Sequence, residues 1–202
     1  NDACTAQDTC SAVGACGGLP KNCSDNDACT ADICDPTSGK CENPNFVTLK
    51  QGFETDLDGF TANSSNAQIK WQLSSKQASS GSKSLYVGNI AGSGAHSYNF
   101  GPALATATYK SVTIPSTAKK AFVRFKYRFD NAEPAGCSNL PLPSDRLQLL
   151  VNGTVSEETC TKTTGYEQIE FDLKDHIGKS VILALRFIAN LNANNGEGAW
   201  VD

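Results

Sequence analysis

Nine cysteines, seven of them within the first 45 residues, most constrain what this 202-residue chain can fold into. They stand at Cys4, Cys10, Cys16, Cys23, Cys29, Cys34 and Cys41, with 5, 5, 6, 5, 4 and 6 residues between them, and only Cys137 and Cys160 follow. The same segment holds just three bulky apolar side chains, Val13, Leu19 and Ile33. Three cannot offset the entropy of ordering such a length of backbone, so cross-links must. The tight C-x-x-C pairs of thiolate zinc sites are absent, which makes disulfides in an oxidising compartment the expectation for all nine cysteines. A bond between Cys137 and Cys160 would pin the Pro-rich stretch 133–144. Spacing does not give connectivity.

An internal repeat organises this front segment. Asn1–Cys10 reads NDACTAQDTC and Asn26–Cys34 reads NDACTADIC, each followed by a Gly and a further Cys. The second copy has Cys23 ahead of it, and the first copy's counterpart would lie before Asn1, so the first copy reads as truncated. With no Met anywhere, an excised or processed piece is expected. Residues 1–45 carry seven acids against two bases, a net −5, and the remainder is close to neutral. Asp25, Asp27, Asp32 and Asp35 gather around Cys29 and Cys34, but no D-x-D-x-D-G-x5-E loop exists. They are a second calcium candidate, read in preference as solubilising acids and Asx turns.

From residue 46 to 202 the text becomes alternating and Cys-poor. Val123–Phe129 places apolar residues on one face and Arg124, Lys126 and Arg128 on the other. Arg146–Val151, Asn152-Gly153 and Thr154–Cys160 read as a hairpin on a type I′ turn. Tyr166–Asp172 and Val181–Ala189 are further strands, with shorter ones at 84–88, 97–100 and 111–114. Short strands punctuated by Gly, Asn, Ser and Pro predict an all-β, antiparallel jelly-roll sandwich behind small, coil-dominated disulfide repeats.

The larger region resembles the MAM-like and carbohydrate-binding-module-like jelly rolls of secreted proteins. The resemblance is carried by Gly52-Phe53-Glu54-Thr55-Asp56-Leu57-Asp58-Gly59-Phe60, by Ala78–Gly88, by Phe171-Asp172-Leu173, by Ile177–Val181 and by Gly198-Ala199-Trp200-Val201-Asp202. The front segment is similar to Cys-rich repeats of large bacterial surface proteins, whose words D-x-D-A-C-T and C-D-P-x-x-G it shares. The jelly-roll resemblance implies a structural Ca²⁺ held by Glu54, Asp202 and backbone carbonyls around Lys83, since Ca²⁺ takes six to eight hard oxygen ligands. It also implies a final strand running beyond Asp202.

For carbohydrate contact, Tyr98 and the Gly-rich loop 88–96 stand out as surface candidates, whereas alternation in Ile69–Leu73 sends Trp71 to the core. Lys119, Lys120, Arg124, Lys126 and Arg128 form a basic set able to attract an anionic glycan or the acidic repeats. No catalytic motif occurs: G-x-S-x-G, H-E-x-x-H, a P-loop and a Rossmann glycine run are all missing. A net charge of −4 argues against nucleic acid, and the apolar run 181–185 is too short to enter a membrane. The expectation is an extracellular or cell-surface, non-catalytic binding, adhesion or assembly module of a surface or filament-associated protein. Its partners would be glycan or other copies and modules of the assembly. The alternative is an accessory domain of a secreted hydrolase.

Overall fold

A computed structural model describes residues 3–10, 16–24, 33–35, 37–42, 50–131, 144–190 and 196–202. The chain divides into two compact units, residues 1–50 with 117–119, and residues 51–116 with 120–202.

The first unit contains two antiparallel ribbons, β1 (Thr5–Cys10) with β2 (Cys16–Pro20) and β3 (Ile33–Cys34) with β4 (Cys41–Glu42). Disulfides join Cys4 to Cys34 and Cys23 to Cys41, across sequence separations of 30 and 18. Closing loops of these lengths contributes about 3–4 kcal/mol each on the chain-entropy account. Cys4 belongs to the first repeat copy and Cys34 to the second, so this bond ties the copies together. Cys29 and Cys137 lie outside the described residues, as do the side chains of Cys10 and Cys16, while Cys160 is disulfide-bonded. Asp35 builds an Asx turn: its carboxylate accepts from Thr37 N–H at 2.8 Å and from the Ser38 hydroxyl at 2.8 Å.

The second unit is a sandwich. Its strands are β5 (Phe60–Ser64), β6 (Lys70–Ser74), β7 (Ser84–Ile90), β8 (His96–Ser97), β9 (Ala103–Tyr109), β10 (Val112–Thr113) and β11 (Phe122–Asp130). Then come β12 (Arg146–Val151), β13 (Thr154–Thr159), β14 (Glu167–Asp172), β15 (Ser180–Val181), β16 (Leu183–Ala189) and β17 (Gly198–Val201). One sheet runs β14-β11-β17-β7-β6 with β8 attached to β7, the other β13-β12-β16-β9-β5, and every pairing is antiparallel. Among the described residues the only helical element is the 3-10 turn Lys174–His176.

The period-two pleat sorts each strand into an inner and an outer set. Inside meet Trp71, Leu85, Val87, Phe129, Ala199 and Val201 of the first sheet and Ala105, Ala107, Leu147, Leu149, Leu185 and Phe187 of the second. The Trp71 indole N–H crosses between the sheets to the Ala105 carbonyl at 3.1 Å. The Asn152-Gly153 turn adopts φ of 52° and 82°, as its sequence dictates. Strands expected at 97–100 and 111–114 shrink to the two-residue pairings β8 and β10. Ahead of β5, the Asp58 carboxylate accepts from Gly52 N–H at 2.7 Å and Phe53 N–H at 2.6 Å, which folds the 52–59 loop and buries Phe53.

Phe187→Ala is expected to cost about 3–5 kcal/mol, because it empties the centre of the sandwich. Trp71→Phe should cost about 1–3 kcal/mol by removing the inter-sheet hydrogen bond. Urea unfolding followed by far-UV circular dichroism measures both.

Candidate functional site

The outer face of the β13-β12-β16-β9-β5 sheet carries the best-ordered polar constellation. One residue from each strand forms a row across it. Asn63 lies opposite Thr106, Thr106 opposite Arg186, Arg186 opposite Gln148, and Gln148 opposite Glu158. At the usual inter-strand spacing the four steps span about 19 Å.

The row is wired from one end. Arg146 Nη1 lies 3.3 Å from both Glu158 carboxylate oxygens. The Gln148 amide N–H donates to Glu158 Oε2, and Arg186 Nε donates to Gln148 Oε1 at 2.6 Å. These partners fix the Gln148 amide, because only its oxygen can face an arginine and only its nitrogen a carboxylate. Gln148 is 5% exposed, so both of its polar ends need these bonds. Apolar side chains flank the row. Leu104, 48% exposed, sits opposite Ile188 on one side, and Leu150 lies between Val155 and Ala184 on the other.

The alternation of β12 and β16 held the signal for this site. Arg186 is the single polar residue of β16, and Gln148 with Arg146 are the polar residues of β12, all at positions that the pleat turns away from the core.

The opposite sheet uses its outer face differently. Tyr86 and Trp200 point away from the core, yet both are fully buried, their rings 5.1 Å apart. His96 closes over them, 4.7 Å from Tyr86 and 6.0 Å from Trp200. Its Nδ1 donates to the Gly94 carbonyl at 2.9 Å, so Nε2, 2.7 Å from Ser74 Oγ, accepts from that hydroxyl. Tyr86 donates its hydroxyl to the Glu197 carbonyl at 2.5 Å. The loop 88–96 is thus a hairpin pinned on an aromatic cluster. Tyr98, expected at the surface, is instead wholly buried, edge-on to Phe187 at 5.4 Å, because it follows β8 into the sandwich. This corrects the surface placement that nominates Tyr98 for ligand binding.

Of the basic set, Arg124, Lys126 and Arg128 share the outer face of β11, while Lys119 and Lys120 precede that strand. Arg124 pairs with Glu170 at 2.5 Å and stacks on Phe122 at 4.9 Å. A shallow cleft of about 220 Å³ lies among Ser79, Ser80, Arg124, Lys126, Gln168 and Asp202. Of its two cations, Arg124 is held by Glu170.

The structure brings Glu54, Lys83 and Asp202 to one loop, 79–83. Glu54 accepts from Ser82 N–H at 2.9 Å, Ser82 Oγ at 2.6 Å and Lys83 N–H at 3.2 Å. Asp202 accepts from Ser79 N–H at 2.7 Å and Ser80 N–H at 2.6 Å. The Ser82 hydroxyl and backbone bonds hold the Glu54 carboxyl below its ordinary value. Gly81, at φ 64°, is required there: a Cβ would lie 2.1 Å from Glu54 Oε1. As arranged, the set does not fit calcium. Both carboxylates face N–H and O–H donors, and the Lys83 ammonium already sits 2.8 Å from the Glu54 carbonyl. An ion would have to displace that ammonium and turn the loop so that carbonyls replace amides. Among the described residues no group of three or more His, Cys, Asp or Glu is placed to hold a metal, and no helix is long and apolar enough to cross a membrane.

No protein-family model and no curated protein matches the chain. Among solved structures, a family 61 carbohydrate-binding module in complex with β-1,4-galactotriose shares 13% identity over 75% of this chain and 93% of that one, with a TM-score of 0.45. The C-terminal family 22 carbohydrate-binding module of Clostridium thermocellum Xyn10B shares 15% over 75% and 87%, at 0.41. A native family 35 module from the same organism shares 14% over 69% and 90%, at 0.35. At these identities and scores the likeness extends to the sandwich and no further.

Burial holds the His96 imidazole below its ordinary value of 6.5, and Lys76 adds to this while the Gly94 carbonyl and Glu197 oppose it. Below pH 6.5 the unfolded chain therefore binds this proton before the folded one does, and stability falls as pH falls. Thermal melts between pH 7.5 and pH 5 should show that loss, and His96→Gln should flatten it.

Proposed function

We propose that this chain is an extracellular, non-catalytic module that binds a polysaccharide across the outer face of the β13-β12-β16-β9-β5 sheet. The observation that carries this reading is the wired row Arg146–Glu158–Gln148–Arg186. The nearly buried Gln148 amide holds the half-buried Arg186 guanidinium in place before any ligand arrives, so little of that side chain's entropy remains to be lost on binding. Sugar hydroxyls need such groups, and the C–H faces of pyranose rings need apolar neighbours, which Leu104, Ile188 and Val155 offer. Glu158, the row's one carboxylate, is engaged by Arg146 and Gln148, and glycoside hydrolysis ordinarily requires two carboxyl groups in separate roles. The disulfides favour an oxidising compartment. In a surface or filament-associated parent such a face would tether the cell to polysaccharide. In a secreted hydrolase it would tether the enzyme to its substrate.

Titration of the full chain with soluble polysaccharides, by calorimetry and affinity electrophoresis, tests the placement. Arg186→Ala should weaken binding by about 1.5–3 kcal/mol, the range for hydrogen bonds involving a charged group, and Gln148→Ala, which frees the guanidinium it orients, should weaken it too. Lys70→Ala, on the opposite sheet, should not change it. Unaltered affinity in both row variants would place the ligand elsewhere.

The Glu54–Lys83–Asp202 latch is read as closed by hydrogen bonds. Melting temperatures in Ca²⁺ and in EDTA should coincide, and Glu54→Gln should lower both equally. A rise with Ca²⁺ that Glu54→Gln abolishes would establish the ion instead.

A further inference from the structure

Arg186 sits at the centre of the row, on the middle strand of its sheet. Its Nε is committed to Gln148 Oε1, and among the described residues no acceptor takes its two terminal amino groups. Glu158 is the nearest carboxylate along the row, and Arg146 and Gln148 occupy it. Among the described residues the face therefore presents one guanidinium without a counter-ion, in a chain whose net charge is −4. Its direction is fixed as well as its charge. The bond from Nε to Gln148, itself set through Glu158 and Arg146, limits how the half-buried guanidinium can turn and leaves its two terminal amino groups as the fork that remains.

We propose that the polysaccharide is acidic, and that a uronate carboxylate docks on the Arg186 fork. This rests on the glycan reading above and narrows its substrate class. A carboxylate offers two coplanar oxygens that match two parallel guanidinium N–H groups, a geometry an ammonium cannot reproduce. The neighbours of Arg186 on its own strand are Ala184 and Ile188, and Leu104 lies opposite Ile188, so the charge emerges beside an apolar shelf where a ring can rest. An acidic peptide is disfavoured. The row runs across the strands, so a chain lying along it meets backbone edges only where it ends, on β5 and β13, and cannot pair as an added strand.

The full chain is titrated with polygalacturonate, with the same polymer fully methyl-esterified, and with polyglutamate. Polygalacturonate should bind about tenfold or more tightly than the ester, with an advantage that shrinks as salt rises. Arg186→Lys keeps the charge but not the fork. It should cost about tenfold on polygalacturonate and leave the ester within about twofold. Arg186→Gln serves as a second variant, and thermal melts confirm that both fold. Equal binding of acid and ester, both weakened alike by Arg186→Lys, overturns the acidic class while leaving a glycan site on this face. Polyglutamate binding as well as polygalacturonate overturns it in favour of a peptide. Failure of every polysaccharide, neutral ones included, overturns both readings.

Discussion

The two sheets meet where β9, from Ala103 to Ala107, presents nothing larger than alanine. Ala103, Ala105 and Ala107 line its inner face, and the Trp71 indole fills the space they leave, donating to the Ala105 carbonyl. Larger residues on β9 would push the sheets apart or displace the indole, since interiors are packed without room for extra methylene groups. The same pleat that turns these alanines inward turns Leu104, Thr106 and Thr108 outward. The contact face and the core are thus two readings of one alternation, and a shift of register by one residue would exchange them.

On that outer face the hydrogen bonds run in series. Each partner in the Arg146–Glu158–Gln148–Arg186 chain removes a degree of freedom from the next, and Gln148, being nearly inaccessible, could not be left half-satisfied without a desolvation cost of about 1–3 kcal/mol. A glutamine in the middle of an apolar strand is therefore stable only together with its neighbours. Its stability and its usefulness as a ligand-positioning group have the same cause.

Much of the sandwich was legible because the pleat leaves its mark directly on the text. β11 alternates base and apolar side chain, and the Asn-Gly turn fixes the hairpin of β12 and β13. β9 escaped because A-L-A-T-A-T-Y hides its core face behind small residues, so the alternation is real but faint in hydrophobicity. Tyr98 was misplaced because a polar-tipped aromatic after a Gly-rich loop reads as exposed, whereas its position is set by the strand that carries it into the core. Pairing of the cysteines was not legible. The Cys4–Cys34 bond joins two repeat copies, a tertiary relation that spacing along the chain does not encode.

The two outer faces also differ in what they do with aromatic rings, and the difference bears on where a ligand would go. Tyr86 and Trp200 would make a natural sugar-stacking platform if they were open. Instead a hairpin held by His96, with the Lys76–Glu197 ion pair at 2.5 Å beside it, seals them from solvent. Opening that cover would expose two large rings and break the hydrogen bonds of His96 and Tyr86 at once, so this face serves stability. The other sheet has no aromatic residue along its polar row and invests its order in directional groups instead. A ligand matched to it is recognised through hydroxyls and charge more than through stacking, which makes the orientation of a single guanidinium decisive.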